Sequence, residues 1–532
     1  LRNSDPAAFS RNGWFVMARE AGVLLHITSL PGNYGIGKLG INALSFASML
    51  AECGFSWWQV LPFGPPAAGY SPYQCYSAYA GNPMLIDPEW LFEHDLLTAD
   101  EVASCQYHGS PHSCNFVWLE SKTDWMLRQA YKRAGDSMMA DVQNFTAVQK
   151  NWLPDYAVYM TLRTDNDSLP WWQWTDERLR RHEREAIAVY VDLQAEEINY
   201  HCFVQYIFDL QWQETREAIH ELGIRLIGDM PIYVSADSSD VWANSELFEL
   251  DEELRPIRIA GVPPDYFTEE GQLWGNPLYN WQVHNREDYR WWRRRVAQSL
   301  QWFDKIRLDH FRGFSAYWAV PADAKNAIKG EWVDGPGTRI FDFLFADFGR
   351  EVFIAEDLGE IDEAVDALLR DINLPGMRVL QFGFDPDSDS THLPCFYPRN
   401  CVAYTGTHDN NTLLGWLWDI DERQRRFALD YIGFYSQEVD WGQGGSDARV
   451  IRAFVRTVWA TAAELTIVPV QDLLGYGGDT RMNTPGLGSE QWRYRVTVQD
   501  LAKIDQKWLL RMNTVYRRRP QVNSCLDIIK LK

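Results

Sequence analysis

Eight short apolar runs, each stopping at a polar or Gly/Pro cluster, constrain this chain more than any other feature. They cover residues 23–27, 57–61, 225–227 (running on to Asp229), 305–308 (before Asp309), 352–355 (before Glu356), 377–384, 401–405 (ahead of Asp409) and 465–470 (before Asp472). Continuous rather than alternating apolar runs suit parallel strands buried on both faces. Helix-like stretches separate most of them, as at 42–53, 362–369 and 448–463. Strand and helix alternating eight times predict the α/β class and a (β/α)8 TIM barrel.

The intervals between runs are uneven. Two are too long for a single helix: 88–222 after the second strand and 235–300 after the third. Compact domains rarely hold structureless loops of that length, so each must contain its own elements. The first is rich in charge and helix formers, as at 176–197, and predicts a mainly helical insertion. The second contains AGVPPDYFTEEGQLWGNPLYNW, whose Pro, Gly and aromatic content predicts a rigid active-site loop insertion. Residues 17–532 then form one catalytic barrel, with 1–16 as an N-terminal extension. That leader lacks the basic start and apolar run of a secretory signal, and the first periodic apolar segment follows Met17, so Met17 is the expected start.

Composition removes several classes of function. The chain has 532 residues with 50 Lys+Arg against 73 Asp+Glu, a net charge of −23. Affinity for nucleic acid backbones comes from clustered Lys and Arg, so nucleic acid is disfavoured as a partner. No run approaches the roughly 18 apolar residues of a membrane span. Eight scattered cysteines fit a reducing compartment, which predicts a cytoplasmic protein, or a plastid-stroma one in a plant or alga. Cys105, His108, His112 and Cys114 have ligand types that zinc could use, but they sit in a short loop without a second ligand-bearing hairpin, so no metal is expected. Twenty-five Trp divide between core filling and flat platforms for sugar rings.

In a (β/α)8 barrel reactive groups project from the C-terminal ends of strands. Asp229, Asp309, Glu356 and Asp409 fall at such ends, in IGDMP, IRLDHFRGF, FIAEDLGE and YTGTHDNNT. Any one of them could simply cap a helix. Four at equivalent ends would converge, and close carboxylates with separated pKa values are what retaining glycosidases use. Arg307 lies two residues before Asp309, on the same strand face, where a guanidinium would keep the carboxylate ionised.

These segments, with GVLLHITSLPGNYGIGKLG, WWQVLPFGPP, SPYQCYSAYAGNPMLID, AGVPPDYFTEEGQLWGNP and DLLGYGGDTRMNTPG, resemble the 4-α-glucanotransferases, or amylomaltases, of glycoside hydrolase family 77. The family often has Pro at 27, Asp at 38 and 411, and Pro at 245, where this chain has Ile27, Lys38, Asn411 and Ser245. The resemblance implies that Asp309 is the nucleophile, Glu356 the general acid/base and Asp409 the carboxylate that stabilises the transition state. It implies substrate binding by Arg307, His310 and His408, and by Tyr70, Ser71, Asp229, Tyr266 and Phe267 in the cleft-lining segments. The implied activity is retaining transfer of α-1,4-glucan segments between maltooligosaccharides, amylose or other starch-like glucans, with glucose also an acceptor. No cofactor is implied, because the energy of the cleaved bond is carried in an enzyme ester. An α-glucan hydrolase would share these carboxylates, and an idle glucan-binding protein would not need them.

Overall fold

All eight apolar runs form strands of one parallel sheet. The computed structural model describes residues 19–519 apart from 68, 265–268, 360, 436–438 and 487–490, so Tyr266, Phe267 and the 1–16 leader lie outside the described residues. In chain order the described strands are β1 (Glu20–Leu24), β2 (Trp57–Gln59), β3 (Arg225–Met230), β4 (Arg258–Val262), β5 (Gln272–Pro277) and β6 (Lys305–Leu308). They continue with β7 (Ala316–Pro321), β8 (Glu331–Asp334), β9 (Phe353–Ala355), β10 (Gly376–Val379), β11 (Cys401–Tyr404) and β12 (Leu465–Pro469). The large sheet runs β10-β11-β12-β1-β2-β3-β6-β9. Its ends meet where the Ala355 N–H donates to the Pro375 carbonyl at 2.9 Å, rounding the sheet into a (β/α)8 barrel.

The two-residue period of a strand decides what enters the barrel. Leu24, Trp57, Ile227, Ile354, Val402 and Ile467 pack together as its apolar interior. Gly22 shares that inward face, and a Cβ there would lie 2.7 Å from both Ile467 Cδ1 and Trp57 Cβ. Only glycine lets Trp57 cross the barrel floor at that point. Continuing the period past the apolar plug brings Asp229, Arg307, Asp309 and Glu356 to the inward face at the barrel mouth.

Between β2 and β3 the chain builds a series of helices, including Phe116–Arg133, Asp136–Val148, Leu153–Asp165 and the 27-residue Ala195–Glu221. Gln205 on the last of these bonds both the N–H (2.8 Å) and the carbonyl (3.0 Å) of Gly81, fastening it to the loop after β2. The 235–300 stretch, expected as an aromatic loop, also contributes strands β4 and β5. These join β7 and β8 in an antiparallel sheet ordered β5-β4-β7-β8. The partner strand β7 lies beyond β6, and such distant pairing leaves no local compositional signal. Between β10 and β11 the regular helix gives way to the short 3₁₀ turns Leu380–Gly383 and Pro394–Phe396. The composition of residues 385–398 explains it: DPDSDSTHLPCFYP favours turns over helix.

Most of the tryptophan goes to packing. Trp58, Trp171, Trp174, Trp212, Trp242, Trp292 and Trp459 are fully buried. Among the described residues, no helix is long and apolar enough to cross a membrane.

Candidate active site

Register brings the first charges together. Asp229 on β3 and Arg307 on β6 are lateral partners, and Arg307 is in turn the partner of Ile354 on β9. Arg307 Nη1 donates to both oxygens of Asp229 and to Asp309 Oδ1, each at 2.8 Å. The guanidinium is almost wholly buried, and its Nε is 3.4 Å from Met377 Sδ. Beyond the strands the ladder continues: the Asp309 N–H donates to the Met230 carbonyl and the Glu356 N–H to the Leu308 carbonyl, both at 3.0 Å. Main-chain bonds thus fix the two carboxylates next to each other in the ring of strands.

Glu356 is held by backbone. Its Oε2 accepts the His310 N–H at 2.7 Å and its Oε1 the Leu358 N–H at 3.1 Å. His310 can present that N–H because it takes the left-handed conformation (φ 51°). The His310 ring stands edge-on to Trp274, with centroids 4.7 Å apart.

Asp409 is held on the other side of the mouth. Its Oδ1 accepts from Asn483 Nδ2 at 2.6 Å, its Oδ2 is 3.2 Å from His408 Nε2, and its carbonyl accepts from Arg481 at 2.9 Å. Tyr73 joins the two groups of charges. Its hydroxyl donates to Asp229 Oδ2 at 2.8 Å and lies 2.9 Å from His408 Nε2. Since the phenol proton goes to Asp229, the phenol oxygen accepts from His408, which places a proton on Nε2. The two rings are stacked with centroids 5.3 Å apart, and Trp492 leans on both.

The three carboxylates respond differently to this common setting. Burial, only partly offset by Arg307, pushes Asp309 up to about 6. Burial also raises Glu356 well above its ordinary value; Arg307 opposes this and the charge of Asp309 adds to it. Burial acts on Asp409 too, but the His408 imidazole and the Asn483 amide outweigh it and hold Asp409 below the usual carboxylate range. His408 moves the opposite way: burial lowers it, yet Asp409 keeps it above its ordinary value. Burial thus favours the neutral forms of Glu356 and Asp309, whereas His408 and Asn483 favour the ionised form of Asp409. Three carboxyls with separated proton affinities, on rigid strand ends, can divide acid and nucleophile roles between them.

Comparison with known proteins bears on that chemistry. The sequence profile of a family described as 4-alpha-glucanotransferase, glycoside hydrolase family 77, matches residues 25–500. The chain belongs to this family. The 4-alpha-glucanotransferase of Aquifex aeolicus is 42% identical over 480 residues, covering 90% of this chain and 95% of that one. The Thermus thermophilus 4-alpha-glucanotransferase is 41% identical over 489 residues, covering 91% and 96%. Among solved structures, an amylomaltase from Streptococcus agalactiae in complex with acarbose has a TM-score of 0.90 at 37% identity, covering 94% of this chain and all of that one. An amylomaltase from Corynebacterium glutamicum shares the fold, with a TM-score of 0.78 at 18% identity, covering 94% and 75%. As a 4-α-glucanotransferase of family 77, the chain is a glycosyl-transferring enzyme.

Within this family-77 barrel, Asp229, Arg307, Asp309, Glu356, His408, Asp409 and the His310 backbone share the mouth. Tyr70 and Ser71 stand one step away. Tyr70 stacks on Phe116 with centroids 4.5 Å apart and lines a side cavity with His26, Phe116 and Trp492. The Ser71 hydroxyl accepts the Tyr73 N–H at 3.2 Å and so orients Tyr73. Of the loop ligand types considered for zinc, Cys105 and Cys114 are buried and His112 lies 3.7 Å from Asp500. Among the described residues no group of three or more His, Cys, Asp or Glu is arranged to hold a metal ion.

Sequence reasoning passed over Tyr73, Asn483, Arg481, Trp274 and Trp492. The first four sit inside quoted segments (SPYQCY, DTRMNTPG and QLWGNP), so the signal was the segment. Nothing in the sequence singled out Trp492.

Proposed function

We propose that this enzyme cleaves an α-1,4 bond in a maltooligosaccharide or starch-like glucan and passes the released segment to the 4-hydroxyl of another sugar, with retention. Asp309 attacks the anomeric carbon and forms a glycosyl ester. Glu356 gives its proton to the departing oxygen, then removes one from the acceptor hydroxyl in the second step. Asp409, kept ionised by His408, stabilises the oxocarbenium-like transition state and grips sugar hydroxyls. The observation that carries this reading is geometric: Asp309 is tied to Arg307, and Glu356 stands on the adjoining strand end, aimed into the mouth by two backbone N–H groups.

The names of the relatives and the acarbose in the Streptococcus agalactiae amylomaltase support α-glucans as substrates, with maltooligosaccharides, amylose and glucose as the partners exchanged. Transfer wins over hydrolysis only if a bound sugar is held at an effective molarity that competes with water at about 55 M. We assign acceptor binding to the PPDYF segment with Tyr266 and Phe267. In chain order the segment falls between β4 and β5, and β5 carries the Trp274 that meets His310, which supports this. Seven described cysteines are all unpaired thiols, which fits a reducing compartment such as cytoplasm or stroma.

Maltotriose as sole substrate tests the reaction. Glucose and a ladder of longer maltooligosaccharides should appear while the number of reducing ends stays nearly constant. A steady rise in reducing ends, with nothing longer than the trisaccharide, would assign the chain to hydrolysis.

A further inference from the structure

The barrel closes at a seam that a side chain completes. β9 and β10 are the two ends of the sheet order, joined by the bond from the Ala355 N–H to the Pro375 carbonyl. The next bond across the seam ends on Asp357, whose Oδ1 accepts the Met377 N–H at 2.5 Å. Its Oδ2 accepts from Arg378 Nη1 at 2.9 Å. Gly376 makes this reach possible, since a Cβ at 376 would lie 2.4 Å from Asp357 Oδ2. Asp357 is 5% exposed. It directly follows Glu356, and by strand alternation the two carboxylates point to opposite faces. A buried carboxylate therefore stands in for a sheet hydrogen bond immediately behind the acid.

We propose that Asp357 is a positioning residue for Glu356: it locks the β9–β10 seam so that Glu356 faces the barrel mouth, and its charge, balanced against Arg378, tunes how tightly Glu356 holds its proton. This rests on Glu356 being the general acid.

The charges facing Glu356 can be named element by element. Arg307 comes from β6, Asp309 from just beyond it, the His310 N–H from the following turn, and Asp357 from its own strand end. Arg378 on β10 faces Asp357. Arg307 favours the ionised acid, whereas Asp309 and Asp357 favour the protonated one. Removing the charge of Asp357 must make Glu356 release its proton more easily. Removing Arg378 must do the reverse, because the charge of Asp357 is then uncompensated.

The test is the alkaline limb of kcat/KM, which reports loss of the protonated acid. Asp357→Asn keeps an oxygen for the Met377 N–H and removes the charge; its limb should move to lower pH by about half to one unit. Arg378→Gln should move the limb to higher pH. Shifts of opposite sign cannot come from general loosening, which would move both variants alike. Glu356→Gln, assayed with an α-glucosyl fluoride donor, should lose the alkaline limb altogether. Were that limb to survive in Glu356→Gln, the acid assignment itself would fail. Should it vanish there yet stay fixed in both Asp357→Asn and Arg378→Gln, only the role of Asp357 is overturned. Were Asp357→Asn not to fold, Arg378→Gln alone would decide: a limb moved upward supports the proposal, and one unmoved or lowered overturns it.

Discussion

Each end of the barrel buries an arginine, and the two are satisfied in opposite ways. At the mouth Arg307 donates to three carboxylate oxygens on Asp229 and Asp309. At the floor Arg518, fully buried, donates to four backbone carbonyls: Trp459 (3.0 Å), Glu20 (3.1 Å), Ala463 (3.0 Å) and Thr461 (3.2 Å). Two of these carbonyls close the helix Arg449–Ala460 and the turn after it, where a cation also meets the negative end of the helix dipole. The floor arginine thus ties β1 to the approach to β12 with acceptors that do not titrate near neutral pH. The mouth arginine is bonded to carboxylates instead, one of which, Asp309, is pushed up to about 6 by burial. Although burial opposes its charge, Asp229 and Asp309 hold Arg307 well above its ordinary value, whereas burial and nearby Arg19 pull Arg518 down. The same side chain serves cohesion at one end and charge control at the other. At the mouth, one guanidinium also faces an excess of carboxylates, an arrangement that chemistry needs and that stability does not favour.

The sharpest contrast is in turnover. Asp309→Ala should cut kcat/KM by at least about 10⁴-fold, because the proposed nucleophile is removed. Its melting temperature should not fall, since Arg307 keeps Asp229. A glycosyl-enzyme trapped with a fluorinated donor should be seen by mass spectrometry in the parent and not in the variant. Arg518→Met should show the converse. Taking this donor from the Glu20 and Ala463 carbonyls, and leaving those of Trp459 and Thr461 to Arg19 alone, costs on the order of 3–5 kcal/mol, read as a lower denaturation midpoint. Activity per folded molecule should remain within about twofold of the parent, because nothing at the floor touches the mouth. A large loss of kcat in Arg518→Met at a temperature where it is folded would break the division between the two ends.

This division also marks how far the sequence was readable. The eight strands were legible because burial on both faces leaves uninterrupted apolar runs, and the carboxylates because they terminate those runs. Asp229 opposite Arg307 follows from strand register, which sequence does not print, though Arg307 above Asp309 follows from the two-residue period. Tyr73 meets His408 across 335 positions, and Arg518 meets Glu20 across 498. Neither contact has a local pattern to betray it. The His310 contribution was half visible. The family resemblance implied that its side chain binds sugar, whereas the structure shows its backbone N–H, presented by a left-handed turn, holding Glu356. Asp357 was hidden in plain view inside AEDLG, because a seam is a property of the closed barrel and not of either strand.

The smallest expected effect separates the two ends by pH. Asp309 has an ordinary value near 3.8 and is pushed up to about 6 in the fold, with burial the main cause. Between those two values the folded state binds more protons than the unfolded one, so stability falls as pH rises through the window and levels off above it. Asp409 contributes with the opposite sign, since it is held below its ordinary value; its contribution is present above about pH 4 and is lost on further acidification. Asp309→Asn removes the first contribution and leaves the second. The variant should therefore melt a few degrees above the parent at pH 8, and the gain should shrink as pH falls from about 7 towards 4. Arg518→Met, in contrast, should lose the same few degrees or more at pH 5 as at pH 8, because carbonyl acceptors carry no proton to exchange. Melting curves of the three proteins from about pH 4.5 to 8 measure both differences. A gain in Asp309→Asn that stays constant with pH, or a loss at pH 8, would mean that the charge at the mouth is fully compensated and that both ends are built for cohesion alike.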